Sequence, residues 1–355
     1  MTKKEELIAS FDPNAPSAPG SLYGLPFDLD TAELVIIPVP WEVTVSYSAG
    51  TADGPEAILE ASAQVDLFLK DIKDAWQMGM YLLPSPENLI EENKKYRDLA
   101  SKYISWLESN EEDWVTDELK IIPKAIDEVS EKLNIYIKSQ AVKLANQGKM
   151  VALLGGDHST PLGLIKAMSE LHSSFGILQI DAHADLREAY ENFTYSHASI
   201  MYNALKIRNV SKLVQVGIRD YCEEEMDYIK GSNGRVKTFF DEDIKSAIYE
   251  GKSWKAICDE IIKELPDLVY ISFDIDGLDP KLCPNTGTPV PGGFEFNDVV
   301  YLMKQIAKAG KRIISFDLNE VSPGEDEWDA NVGARLLYQM AAIMGVSQGK
   351  LQFTP

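Results

Sequence analysis

The chain has 355 residues, 45% hydrophobic and 25% charged, the proportions of an ordinary globular protein with room for one large α/β domain or two smaller ones. Its 56 acidic against 34 basic residues give a formal net charge of −22, which argues against nucleic acid and anionic membrane surfaces as partners and favours a small cation. Three widely spaced cysteines, Cys222, Cys258 and Cys283, make neither a disulfide framework nor a thiolate metal site. The charged stretch Met1–Ser10 lacks the apolar centre of a signal peptide, and no apolar run approaches the roughly 20 residues that span a bilayer, so the expected location is cytoplasmic.

In chain order, the proline-rich residues 1–32 read as an arm lying on the surface. Leu34–Pro40 is the first strand; the Ser/Thr/Gly-rich Trp41–Gly54 is a loop, and Gly54-Pro55 opens a helix, with proline suited to the first helical position. Residues 66–137 are a helical elaboration for packing or oligomer contacts. Within and just beyond it, Glu91–Leu107 and Lys120–Gln147 show helical spacing on either side of a solvated acidic run, Glu108–Asp113. From Met150 the pattern is regular. Strands are expected at 151–154, 175–180, 213–217, 236–240, 268–273 and 313–318, with helices from about 160 to 172 and at 196–207, 254–264, 296–309 and 332–344. Such alternation predicts a single domain, a three-layer αβα sandwich around a mainly parallel sheet, with ligands bound outside the carboxyl ends of the strands.

Unusual polar clusters sit at those ends. His158 follows the 151–154 strand, in Gly155-Gly156-Asp157-His158-Ser159. Asp181, His183 and Asp185 follow the 175–180 strand, and period-two alternation would point all three one way. Asp274 and Asp276 follow the 268–273 strand with the same spacing. Carboxylates left uncompensated there would cost several kcal/mol, roughly, so cations or hydrogen bonds are required. Four carboxylates and two imidazoles form an oxygen-rich set that suits hard to borderline divalent ions such as manganese better than a structural zinc. Six ligands are too many for one ion that also holds a water, but fit two ions. A pair about 3.5–4 Å apart lowers the pKa of a shared water towards neutrality, which yields a nucleophile for hydrolysis. Asp157 reads as a hydrogen-bonding neighbour, His172 as a residue of a helix end, Asp279-Pro280 as a turn and Cys283 as a bystander.

Gly-Gly-Asp-His-Ser, Asp-Ala-His-Ala-Asp and Asp-Ile-Asp-Gly-Leu-Asp-Pro, in this order, resemble the three signatures of the ureohydrolases, the arginase/agmatinase family, and the similarity runs from about Ile36 to Met344. The resemblance implies two Mn2+ per subunit, with Ni2+ as the alternative. His158 would bind one ion and His183 the other, Asp181, Asp185 and Asp274 would bridge or bind both, and Asp276 would complete the set. Asp185 would also orient the attacking water. His197, in Tyr-Ser-His-Ala-Ser, matches the residue that passes protons to the leaving amine. Glu320, in Asp-Leu-Asn-Glu-Val-Ser-Pro, matches the carboxylate that pairs with a guanidinium, for which fork geometry is apt. Thr286–Pro289 and Pro291–Gly293 match a family loop beside the pocket. The resemblance further implies a homo-oligomer, trimer or hexamer.

For the substrate, Arg187 stands where arginases carry an asparagine. Leu186–Glu191, Tyr195–His197 and Ser46–Gly50 leading into Gly54-Pro55 are more similar to agmatinases. Agmatine, cleaved to putrescine and urea, is therefore the expected substrate, a small guanidino cation suited to an acidic protein. Ala198 replaces the agmatinase glycine of Ser-His-Gly. The 66–137 elaboration and Pro40-Trp41-Glu42 resemble longer members, some similar to nickel-dependent guanidine hydrolases, with Trp41 and Tyr47 filling the place of a substrate tail. Guanidine or another small guanidino compound is thus the alternative substrate. A metal-dependent deacetylase or a non-catalytic binding protein is the remote alternative, set against a ligand set with no member missing.

Overall fold

The computed structural model describes residues 1–17, 20–109 and 116–354. Among these, eight strands form one sheet: β1 (Leu34–Val39), β2 (Met80–Leu82), β3 (Met150–Gly155), β4 (Phe175–Ile180), β5 (Val210–Ile218), β6 (Val236–Phe240), β7 (Leu268–Asp274) and β8 (Arg312–Asn319). Every pairing is parallel, and the order is β2-β1-β3-β8-β7-β4-β5-β6. The helices are α1 (Lys3–Ser10), α2 (Gly54–Ser62), α3 (Glu87–Glu108), α4 (Asp117–Asn146), α5 (Leu162–Leu171), α6 (Ile200–Leu205), α7 (Glu223–Gly231), α8 (Asp241–Tyr249), α9 (Trp254–Glu264), α10 (Phe296–Lys308) and α11 (Trp328–Ser347).

A parallel sheet covered on both faces needs strands that are apolar throughout, and β1, β3 and β4 are buried at every position. Alternation then divides their side chains between two cores. Leu34 and Ile36 of β1 join the core under α9, α10 and α11, whereas Val35, Ile37 and Val39 join the one under α3, α4, α5 and α6. Helix α11 is apolar around most of its girth because it lies between the sheet and helices α2 and α10. Side-chain oxygens of Thr116 and Ser253 cap α4 and α9 by accepting backbone N–H bonds. No helix among the described residues is long and apolar enough to cross a membrane.

Several expectations need correction. The first 32 residues are not simply a surface arm. Leu22, Tyr23, Leu25 and Phe27 are buried, and the Tyr23 hydroxyl donates to the Ala334 carbonyl of α11 at 2.8 Å. Its aromatic residues are what the proline-rich composition obscured. The expected helix over 196–207 is a short 3-10 turn, His197–Ser199, followed by α6. Helices α1, α7 and α8 and strand β2 were not anticipated; α7 and α8 each bury at most two residues, too thin a stripe to read as periodicity. Most of the acidic run Glu108–Asp113 lies outside the described residues.

The 66–137 elaboration packs onto two loops at the carboxyl end of the sheet. The Asn93 Oδ1 of α3 accepts the Glu42 N–H at 2.8 Å, and Asn192 Nδ2 donates to the Tyr103 hydroxyl at 2.8 Å. From α4, Asp127 accepts both the N–H and the hydroxyl of Thr194, at 2.8 and 2.6 Å.

Candidate metal centre

Strands β3, β8, β7 and β4 are neighbours, and their carboxyl ends deliver all eight candidate residues except His197, which comes from the 3-10 turn. Strand alternation is not what converges the candidate ligands. Strand β4 stops at Ile180, and the next residues form a turn in which Asp181 Oδ1 accepts the His183 N–H at 2.6 Å. Asp185 then takes a left-handed conformation, φ 55°. Asp274 ends β7, Asp276 lies in a 3-10 turn, and Asp274 Oδ1 accepts the Asp276 N–H at 2.9 Å. These are local carboxylate-to-backbone turns that a period-two extrapolation misses. Glu320 is left-handed too, φ 63°. Non-glycine residues held there cost of order 1–3 kcal/mol each and gather at functional sites.

His158 Nδ1 is buried, has no hydrogen-bond partner, and faces three carboxylate oxygens: Asp181 Oδ2 at 3.0 Å, Asp185 Oδ2 at 3.1 Å and Asp274 Oδ2 at 3.2 Å. His183 Nδ1 lies 3.0 Å from Asp276 Oδ2 and 3.7 Å from Asp181 Oδ1. Two groups able to hold a cation result, His158/Asp181/Asp185 and Asp181/His183/Asp276, and they share Asp181. The site is short of positive charge. Burial, then the charge of Asp181, pushes Asp185 up to about 7, and burial with Asp276 holds Asp274 well above the carboxylate range. Burial lowers the His158 pKa, but Asp181, Asp185 and Asp274 outweigh it and leave it well above its ordinary value. An orphaned imidazole nitrogen among crowded carboxylates fits divalent cations.

Behind His158, Nε2 lies 2.9 Å from Ser272 Oγ, which donates to Asp317 Oδ1 at 2.9 Å. Asp317 also accepts from Asn319 Nδ2 at 2.5 Å. With its proton directed to Asp317, the serine accepts from Nε2–H, so in the neutral ring Nδ1 is the nitrogen whose lone pair is left to offer a cation. Gln179 Nε2 donates to Asp181 Oδ2 at 2.8 Å. None of Gln179, Gln215, Ser272 and Asp317 was singled out from the sequence. The available signal was a polar residue inside an otherwise apolar strand.

Glu320 Oε1 accepts the His158 N–H at 2.8 Å. Burial, then the charge of Asp157, raises the Glu320 pKa well above the usual range. A Cβ added at Gly287 would lie 3.5 Å from Glu320 Oε2 and 3.6 Å from the Ser48 carbonyl oxygen, so the Ser46–Gly50 and Thr286–Pro289 loops meet beside this carboxylate. Thr286 Oγ1 donates to the Glu320 carbonyl at 2.8 Å. The His197 ring packs edge-on against Tyr190, centroids 6.2 Å apart. Burial, then the charges of His183 and His158, lowers the His197 pKa to about 4, so the ring is neutral at pH 7.

The two aromatic residues of the first loop differ in placement. Trp41 is part of the core beneath α3–α6, and Tyr47 is 81% exposed. Asp157 Oδ1 accepts the N–H of Ser159 at 2.9 Å and its hydroxyl at 2.5 Å, which holds the loop around His158. Cys283 is buried, with its Sγ donating to the Ile275 carbonyl at 3.3 Å.

The arginase family's sequence pattern matches residues 32–342. The chain is similar to the N(1)-aminopropylagmatine ureohydrolase of Thermus thermophilus, 31% identical over 323 residues that cover 91% of this chain and 94% of the relative. It is also similar to the agmatinase of Halalkalibacterium halodurans, 27% identical over 301 residues, covering 84% and 86%. Among solved structures, the agmatine ureohydrolase of Thermoplasma volcanium superimposes with a TM-score of 0.70 at 22% identity, covering 98% of this chain and 99% of that one.

Proposed function

The chain belongs to the arginase family and is a ureohydrolase acting on guanidino compounds; from that premise we propose that it cleaves agmatine to putrescine and urea with two manganese ions. The observation that carries the metal reading is the bare Nδ1 of His158 facing Asp181, Asp185 and Asp274, with Asp181 shared by a second cluster. His158, Asp181, His183, Asp185, Asp274 and Asp276 would hold the ions. When bound, the ions supply Lewis acidity that makes water a nucleophile near neutral pH.

This chain's own residues supply the rest. Glu320 offers Oε2 to the guanidinium beside the opening left by Gly287, and so orients the central carbon for attack. Asp185 holds the water in line. Addition to that carbon and rupture of its bond to the tail nitrogen leaves urea, and the tail departs as an amine. Neutral His197 accepts a proton and returns it to that amine. The acidic surface favours a substrate with a second cation. We also read the protein as cytoplasmic, single-domain and oligomeric.

Relatives named for N(1)-aminopropylagmatine bring in a longer amine-tailed substrate. The test is urea release with manganese or nickel from agmatine, N(1)-aminopropylagmatine, 4-guanidinobutyrate, arginine and guanidine. Agmatine should give the highest kcat/KM, with manganese. Preference for the longer amine moves the assignment to that substrate, and turnover of guanidine alone overturns the amine-tail reading.

A further inference from the structure

We propose that a row of hydrogen-bonded side chains, running from the outer strand β6 to Asp181, fixes the orientation of the one carboxylate that both metal clusters share. This rests on the proposal that those clusters hold divalent ions. Thr238 of β6 is the register neighbour of Gln215 on β5, and Gln215 that of Gln179 on β4. All three lie on one sheet face, that of Phe175 and Ile177, and the two glutamines are fully buried.

The row has a single polarity. The Thr238 hydroxyl donates to Gln215 Oε1 at 2.8 Å. Gln215 Nε2 donates to Gln179 Oε1 and to the Ala184 carbonyl, both at 2.7 Å. Gln179 Nε2 donates to Asp181 Oδ2 at 2.8 Å and to the His183 carbonyl at 3.1 Å. Both donors and the carbonyl of each amide are engaged. Turning either glutamine over would set oxygen against oxygen, so each link dictates the orientation of the next. With the His183 N–H on Oδ1 and Gln179 on Oδ2, both oxygens of Asp181 are pinned. Each keeps a further lone pair, and these face the Nδ1 atoms of His158 and His183.

Two buried amides between apolar strands are an expensive way to fill space, since valine or isoleucine would pack there without any need for partners. The row ends on a carboxylate of the site, and its two side branches end on the Ala184 and His183 carbonyls of the same turn. Gln179, Gln215 and Thr238 are therefore positioning residues: they touch no substrate and act through Asp181.

The test compares Gln215→Met, Thr238→Val and Thr238→Ser with the wild type. Manganese affinity is read by chelator competition, the unfolding midpoint on metal-free protein, and kcat and KM by urea release. Gln215→Met leaves Gln179 Oε1 buried without its donor, so the carboxamide that holds Asp181 Oδ2 loses its anchor, and manganese binding should weaken by about 10–100-fold. Thr238→Val, two links away, should weaken it by about threefold, the share of one neutral hydrogen bond, and Thr238→Ser should restore the wild-type value. Lower metal-free midpoints with unchanged manganese affinity would show a merely satisfied core and overturn the proposal. Wild-type protein that binds no manganese overturns the metal reading, and the role of the row with it.

Discussion

Gly156 is the position where one methyl group should do the most harm. An added Cβ would lie 2.1 Å from the Trp41 carbonyl oxygen and 2.8 Å from both its carbonyl carbon and its nitrogen. These are backbone atoms that cannot swing aside, so relief requires a shift of about 1 Å between the loops leaving β1 and β3. The same loops are tied by Gly156 N–H to the Val39 carbonyl at 2.9 Å and Asp157 N–H to the Trp41 carbonyl at 2.8 Å, while the Gly156 carbonyl accepts the Glu320 N–H at 2.8 Å. Gly156→Ala should lose about 1–3 kcal/mol to overpacking and about 1 kcal/mol for each hydrogen bond that breaks. His158 and Glu320 move with those bonds, and a 1 Å misplacement of reacting groups costs roughly 10²-fold in rate. The assay is urea release after manganese loading, together with thermal unfolding. Gly231→Ala, in α7 where nothing lies within 4 Å, is the control and should keep the rate without lowering the midpoint. If Gly156→Ala keeps the wild-type rate within about threefold and the same midpoint, the claim that these loops set the site's geometry is refuted.

Three further outcomes are expected. Glu320→Gln should lower kcat/KM for guanidino substrates by about 10²-fold or more, because a charge-assisted fork to the guanidinium is lost; steady-state kinetics decide it. His197→Asn should cut kcat by about 10²–10⁴-fold with little change in manganese content by elemental analysis, and full retention of kcat would remove the residue from proton transfer. Burial, then the charge of Glu108, raises the Glu191 pKa to about 7, above its ordinary 4.5. The folded state thus holds a proton between those values that the unfolded state has released, so stability falls as pH rises through this window. Glu191→Gln should leave the unfolding free energy unchanged near pH 4 and raise it at pH 8 by about 1 kcal/mol, allowing for solvent screening of a half-exposed carboxylate. An equal shift at both pH values would contradict this.

The sheet was legible because its strands are short apolar runs ended by Gly, Asp, Asn or Pro, and the runs at 34–40, 151–154, 175–180, 268–273 and 313–318 all became strands. The six candidate ligands were legible from their residue types and from their places just past strand ends. The local mechanism was less visible. Alternation would have carried Asp181, His183 and Asp185 along one face, whereas an Asp181-capped turn and a left-handed Asp185 bring them together. The supporting side chains were hidden for another reason. Gln179, Gln215, Ser272 and Asp317 each interrupt an apolar strand, and a reading by hydrophobic periodicity passes over single interruptions. Their meaning depends on cross-strand register, which pairs Gln179 with both Gln215 and Ser272, and Ser272 with Asp317. Register is a property of the assembled sheet. The burial of Tyr23 against α11 was hidden likewise, since its partner, Ala334, lies 311 residues away.

We propose that paired divalent ions at the ends of β3, β4 and β7 drive hydrolysis of a guanidino group. The most direct test is to strip the protein with chelator, titrate it with manganese, and follow urea release from agmatine together with bound metal. The stripped protein should have no activity, and activity should rise on titration and level off at about two ions per chain. Urea release from fully stripped protein, or a plateau at two ions with no urea from any guanidino compound, would contradict it.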